Sequence, residues 1–297
     1  NAPIDTCGRY TIDPVPHDRS YFESQLVAVN NYFRSVSYGK FGLDLDQSIV
    51  FPLSDENSYV LPKTMDYYHP YNQTDIHDQR VTELFRDALE TAYNDDEIDF
   101  SNFDHVVIFH AGIGQDFSLP FLDPTPEDIP STFIDDDMLQ EFVGGMLQFG
   151  TVTINQGIIL PETQNHLFYQ ESENIFFDAE EPCDYQYGLT GTFALMLGFA
   201  IGLPPLWDTN SGQSGIGIFG LMDQGSNNGR GLIPAPPDAW SRKFAGWELP
   251  LIAMPSKMIN LPSRSEDNLV QIPINETEYF LIENRTNLYR GNMYIDS

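Results

Sequence analysis

The amino-acid sequence predicts an α+β fold, on three observations. Two segments in the first third carry apolar stripes at helical spacing, a short apolar run further on reads as a buried strand, and after Leu249 the pattern changes to short strands. Hydrophobic residues make up 41% of the 297-residue chain and aromatic residues 13%, enough for a sizeable core and against wholesale disorder. No internal repeat or low-complexity linker interrupts it.

The elements follow in order. Ser20 with Glu23 forms a capping-box pattern, and Phe22, Leu26, Val29 and Phe33 follow at helical spacing, predicting a helix over about 20–36. Gly39 and Gly42 end it, and Leu43 to Phe51 alternates as a strand. Val81, Leu84, Phe85, Ala88, Leu89 and Ala92 form one stripe of a second helix, with Thr74 or Asp75 as its N-cap. His105 to His110 reads as a central buried strand, and Thr151 to Leu160 as a strand near a sheet edge. The stretch 115–140 reads as loop-rich, and 162–188 is again long, acidic and aromatic. A buried helix is expected at about 188–203, a Gly-rich loop over 208–233 and a short helix from Pro237-Asp238. Strands then follow at Met258 to Leu261, Leu269 to Ile274 and Tyr279 to Glu283.

Charge excludes some partners. Lys plus Arg number 14 against 44 Asp plus Glu, a formal charge of -30. Such a surface repels nucleic acid and anionic membranes and suits divalent cations or a salty exterior. The longest uncharged apolar stretch, Leu189 to Trp207, is broken by Gly191, Gly198, Gly202 and Pro204-Pro205, too short and interrupted for a membrane span. The start at Asn1 is that expected of a mature secreted protein, and further protein is expected beyond Ser297. Sequons stand at Asn72, Asn275 and Asn284, and Cys7 and Cys183 form either one long-range disulfide or two free thiols.

The most informative stretch is Phe193-Ala-Leu-Met-Leu-Gly-Phe-Ala-Ile-Gly-Leu-Pro-Pro-Leu-Trp-Asp208. It is followed by Gly215-Ile-Gly-Ile-Phe-Gly-Leu-Met222-Asp-Gln-Gly225, by Pro234-Ala-Pro-Pro-Asp-Ala-Trp240 and by Lys243-Phe-Ala-Gly-Trp247. This order resembles the immune inhibitor A-type zinc metallopeptidases, whose active helix reads A-H-E-F-G-H-x-L-G-L-P-D-L-Y-D. A Met-turn, G-x-W-D-L-M-S, and a K-x-x-G-W segment follow it. His17 to Leu26, His105 to Asp116 and Glu278 to Arg285 are similar to other parts of the same domain. The resemblance implies a zincin-like catalytic domain over 1–248, with a twisted mixed sheet, a central helix and a Met-turn at Met222. It also implies a β-rich segment over 249–297.

In that motif two histidines at i and i+4 bind zinc, a glutamate activates the bound water, and an acidic ligand follows the turn. Aligned on Ala194, Gly198, Gly202, Leu203, Pro204, Leu206 and Asp208, this chain has Leu195 at the first histidine and Met196 at the glutamate. Phe199 stands at the second histidine and Pro205 at the acidic ligand. Leu, Phe and Pro offer zinc no side-chain donor, and a Met thioether takes no proton at neutral pH. Burying Leu, Met or Phe is worth about 1.5–3 kcal/mol each, so packing is expected to replace the metal, under a filled or lidded cleft.

Elsewhere, His17, His69, His77, His105, His110 and His166 include no i, i+4 pair, and His105 and His110 are expected at the two ends of one strand. A zinc site relocated to residues distant in sequence is the competing expectation. Asp123, Asp128, Asp135, Asp136 and Asp137, and also Asp178, Glu180 and Glu181, are candidate calcium ligands in loops without EF-hand spacing. Asp208 either joins such a site or caps its loop. No G-x-S-x-G occurs, and Gly112-Ile-Gly114 lacks the context of a nucleotide loop. The expectation is a secreted, non-catalytic relative of these peptidases, holding no zinc and possessing at most calcium, that binds a protein partner or itself. The alternatives are an active peptidase with a relocated metal and a module that holds peptides without cutting them.

Overall fold

The computed structural model describes residues 12–53, 58–96, 98–117, 126–165, 186–263 and 268–285. Cys7, Cys183, His166, Asp123, Asp178, Glu180 and Glu181 lie outside them. The fold is mixed α+β. Strands β1 (Val107–Ile113) and β5 (Gly157–Thr163) run parallel, and β2 (Thr132–Ile134) pairs antiparallel with β5, giving the order β1-β5-β2.

Alternation along β5 builds two cores. Ile158 and Leu160 point to one face, where they meet Phe33 of helix α1 (Arg19–Val36), Phe193 and Leu197 of helix α5 (Thr190–Ala200), and Met222. Ile159 points to the other, against Phe85 and Leu89 of helix α3 (His77–Asp96) and Leu139 of helix α4 (Asp136–Phe142). A strand covered on both faces must be apolar throughout, which is why β5 shows no polar alternation. Gly157 lets it approach α3, since a Cβ there would stand 2.3 Å from the Phe85 ring.

Several expectations are corrected. The Thr151–Leu160 segment is not an edge strand. It divides into β4 (Val152–Ile154), which forms a hairpin with β3 (Leu147–Phe149), and β5, the centre of the described sheet. The His105–His110 strand, expected to be central, is β1 at its edge. His105 precedes it and His110 lies in its middle rather than at its end. Leu43 to Phe51 forms turns and no strand. There Asp44 accepts from the Asp46 amide (3.2 Å) and from Ser48 Oγ (2.8 Å), and Arg19 donates to the carbonyls of Val50 and Pro52. Such local bonds compete with a ladder. The presumed loop 115–140 contains β2 and the start of α4, and a short helix α2 (Met65–Tyr68) precedes α3.

Helix α1 matches its expected span, but its cap is Asp18 rather than Ser20. Asp18 Oδ1 accepts from the Tyr21 amide at 3.1 Å and from Ser20 Oγ at 2.8 Å. Helix α3 buries the expected stripe, and a 3-10 turn at Thr74–Ile76, begun by Gln73, leads into it in place of a cap at Thr74 or Asp75. Glu83 and Asp87 are also buried on α3. Tyr68 Oη, Lys63 Nζ and the Arg86 guanidinium donate to Asp87, and Tyr67, Gln79 and Arg80 donate to Glu83.

The last described part is a second sheet, with β6 (Leu251–Ile252) parallel to β7 (Leu269–Pro273) and β8 (Tyr279–Glu283) antiparallel to it. β7 and β8 fall where expected. The strand expected at Met258 to Leu261 does not form, and β6 lies earlier. Helix α6 (Ala239–Phe244), N-capped by Asp238, packs on this sheet through β8. No helix among the described residues is long and apolar enough to cross a membrane.

Candidate functional site

Helix α5 is almost wholly apolar, and all of it but Thr190, Leu195 and Phe199 is buried. It lies against α1, β2, β5 and a turn at Gln224–Asn227. Two glycines allow the closest approaches. A Cβ at Gly191 would stand 1.9 Å from the Ser226 carbonyl oxygen, and one at Gly198 would stand 2.6 Å from Met222 Sδ. Met222, fully buried, therefore forms the floor beneath the helix, and its carbonyl accepts from the Leu206 amide at 2.9 Å. At the other end α5 lacks a local side-chain cap. Asp13 Oδ2, distant in sequence, accepts from the Leu189 amide at 3.2 Å.

The four positions aligned with the zinc motif lie along and just beyond this helix. Met196 is buried in the main core, and Leu195 and Phe199 are half-buried against it. The Phe199 ring lies 6.0 Å from Phe133 on β2 and 5.7 Å from Trp207, so aromatic side chains close round it. Pro205 is exposed, past the Gly202 turn, whose φ of +88° suits glycine. One hollow of about 450 Å³ is lined by Asn30, Arg34, Leu43 and Asp46, and another of about 60 Å³ by Phe103 and Val152. Neither touches Leu195 or Phe199.

The acidic candidates serve the backbone. Asp208 Oδ1 accepts from the amides of Asn210 (2.9 Å) and Ser211 (3.1 Å), closing the loop between Trp207 and Ser214, and these bonds hold its carboxyl below the usual range. Asp135 is the N-cap of α4, accepting from the Met138 amide at 2.9 Å. Asp136 and Asp137 occupy the first turn, where the helix dipole favours negative charge. Asp128 is buried elsewhere. Among the described residues no three His, Cys, Asp or Glu are grouped to hold a metal ion.

Sequence reasoning missed the most concentrated site. Asp223, next to Met222, is buried, and its Oδ2 accepts from Ser214 Oγ (2.9 Å) and from the amides of Gly215 (2.9 Å), Ile216 (2.8 Å) and Gly217 (2.7 Å). Oδ1 accepts from the Gln224 amide at 2.8 Å. Burial raises the carboxyl and this set of donors outweighs it, holding it below the usual range. Three successive amides turned to one oxygen make an anion nest, filled here by the chain's own carboxylate.

Three histidine sites also emerge. His17 Nδ1 lies 3.1 Å from Glu162 Oε1 and Nε2 lies 3.0 Å from the Asp13 carbonyl, with the ring stacked on Tyr21. A neutral imidazole donates from one nitrogen only, so two acceptors favour the charged form. Burial lowers His17, but Glu162 and the Asp13 carbonyl raise it above its ordinary value. Burial raises the Asp13 carboxyl. His110 is similarly bracketed by the carbonyls of Ala111 (2.8 Å) and Ile129 (3.0 Å), while burial lowers it. The His69 ring lies tilted against His77 with centroids 4.0 Å apart, and its buried Nδ1 has no hydrogen-bond partner. Burial first, then His77, push His69 down to about 4.

Because the folded state disfavours protonated His69, its contribution is present above the unfolded value near 6.5 and lost as pH falls from there towards 4. Urea unfolding at pH 7 and at pH 4.5 is expected to differ by about 2 kcal/mol from this group, and the difference is expected to shrink in His69→Phe. An equal drop in both proteins would remove His69 as its cause.

Chemically, the ring nitrogens of His17 and His110 face acceptors, and the spare nitrogen of His69 is enclosed. Leu195, Met196 and Phe199 of α5 present carbon and one thioether. No family model, curated protein or solved structure matches the chain.

Proposed function

We propose that the chain is a secreted, non-catalytic relative of the immune inhibitor A-type metallopeptidases, a scaffold used for binding or assembly in the extracellular space or at the cell surface. One observation carries the reading. The turn of α5 on which the resemblance places the zinc ligands bears Leu195 and Phe199, half-buried on the main core, with Met196 buried beside them. Met222 beneath Gly198, and the Gly202 turn, support the resemblance itself, since they keep the order of helix, glycine turn and methionine turn. Carbon side chains there neither ligate zinc nor take a proton from water.

The test is elemental analysis of the purified chain after equilibration with zinc, together with cleavage of an unstructured protein such as casein. Zinc well below one per chain is expected, with no cleavage that a chelator abolishes. Stoichiometric zinc with chelator-sensitive cleavage would sink the reading and favour a relocated metal.

A further inference from the structure

One face of the second sheet carries α6, and the other carries no helix among the described residues. Gln271, Tyr279 and Glu283 face α6. Lys243 Nζ donates to Gln271 Oε1 at 2.9 Å and sits 3.9 Å from the Tyr279 ring centroid, and Arg242 Nη2 donates to Glu283 at 2.7 Å. Side chains alternate along strands, and the register sets Ile272 opposite Phe280, Val270 opposite Ile282, and Leu251 opposite Val270. These five share the other face. Val270 is buried among them, whereas Phe280 is 63% exposed, Leu251 and Ile282 45% each and Ile272 36%. Ile274, next in the same alternation, is 57% exposed, and Leu249, two residues before Leu251, is 81% exposed.

We infer that this apolar face is a self-association surface, on which two copies of the chain pack sheet to sheet about a two-fold axis. Size is the first argument. At these exposures the face offers roughly 450 Å² of surface, or roughly 600 Å² with Leu249, the upper end of the roughly 300–600 Å² of the largest patch on an ordinary monomer. Two such patches together reach roughly the 1,200 Å² at which standard interfaces begin.

Charge is the second argument, and it selects the occupant. The whole chain carries -30, yet the face itself bears no charged residue. Around it, Glu276 and Glu278 lie in the β7–β8 turn and Lys257 in the preceding loop, while Glu283 and Arg285 pair with each other at 2.6 Å. A cationic partner would find its attraction on the carboxylate-rich remainder and nothing here. Two copies repel everywhere else, and this face lets them meet without bringing carboxylates together. Isologous two-fold pairing also needs only one such patch.

The inference deepens the scaffold reading by naming the partner of a non-catalytic chain, but it stands or falls by a separate measurement. The full 297-residue chain is examined by sedimentation velocity at about 0.05 and 0.5 M NaCl, where the screening length shortens severalfold. A dimer is expected whose association strengthens with salt, because salt screens the mutual repulsion. Phe280→Ser with Ile282→Thr, both exposed and therefore tolerated by the fold, is expected to weaken association at least tenfold. Val60→Ser, 83% exposed and on another part of the chain, is expected to leave it unchanged.

A monomer at high concentration in high salt would overturn the inference, as would a dimer indifferent to the Phe280→Ser pair. So would a monomer that sediments with zwitterionic lipid vesicles, or one in which hydrogen exchange shows the face already covered by its own chain. Zinc content and casein cleavage are read on the same preparation. Loss of the dimer without zinc removes this surface only, and a dimer that holds zinc and cleaves removes the scaffold reading only.

Discussion

Replacing Arg242 by alanine is expected to lower the stability of the chain by about 3–5 kcal/mol. Arg242 is 3% exposed, at the end of α6, and its guanidinium serves three acceptors. Nε donates to Glu248 Oε2 at 2.8 Å, Nη2 to Glu283 Oε2 at 2.7 Å and Nη1 to the Pro237 carbonyl. Glu248 is 1% exposed and its Oε1 has no hydrogen-bond partner, so the arginine is the main compensation for a buried carboxylate. Burial raises the Glu248 carboxyl while the arginine lowers it. Removing the cation leaves an unpaired buried charge, which costs far more than losing an exposed pair.

The same guanidinium joins α6 to β8, so the damage is expected to spread to the second sheet. Faster hydrogen exchange in Leu269–Pro273 and Tyr279–Glu283 should accompany the loss measured by urea unfolding. Arg242→Lys is expected to recover only part, since an ammonium lacks the planar fork. The double variant with Glu248→Gln should lose less than the sum of the two single changes, because each removes the other's reason to be charged. A loss below about 1 kcal/mol for Arg242→Ala would show that water reaches Glu248 and that the triad is not buried in solution.

What the sequence reveals depends on how far apart the interacting residues lie. Helix α3 was legible because Val81, Leu84, Phe85, Ala88, Leu89 and Ala92 repeat one face over three turns, and all are buried. β7 and β8 were legible because short apolar runs stand between turn residues. α2, α4, β2, β3 and β4 have between three and seven residues each, too few to establish a period. The exchange of edge and centre between β1 and β5 has a different cause. Gly157 and Pro161 read as breakers, yet Gly157 makes room for Phe85, and Pro161 stands opposite His110, just before the register slips towards Ile113 and Thr163. Tertiary contact, not local preference, places β5 in the middle.

The site divides along the same line. The order of helix, glycine turn and methionine is plain in the sequence, whereas the packing of Met222 beneath Gly198 is a tertiary contact. Glu162, however, meets His17 across 145 residues of sequence, and Asp13 reaches Leu189 across 176. No spacing announces such pairs. The Asp223 nest was within reach of sequence reasoning, because Gly215-Ile-Gly217 is just the sort of backbone that can turn successive amides inward.

Asp223→Ala is accordingly expected to cost about 3–4 kcal/mol, since hydrogen bonds to a charged acceptor are worth about 1.5–3 kcal/mol each and water replaces only some of them. Five donors lose their acceptor at once. Asp223→Asn is expected to cost about half as much: its oxygen can serve the nest, but less strongly when neutral, and its amide then faces the Gln224 N–H, donor against donor. The pH behaviour follows from the lowered carboxyl. The folded state favours the charged form, so this stability is present above the ordinary value of 3.8 and lost as pH falls below it. His69 acts in a higher window, which separates the two. Because the nest fixes the turn that holds Met222 under Gly198, its loss should loosen the floor of α5 as well as the loop. Hydrogen exchange at the amides of Gly215, Ile216 and Gly217 should accelerate by orders of magnitude in Asp223→Ala, with a smaller rise along Thr190–Ala200. Unchanged protection at those three amides would mean that the loop holds its shape through Ser214 and the Trp207 bridge alone, and that the carboxylate merely fills a pocket the backbone already makes.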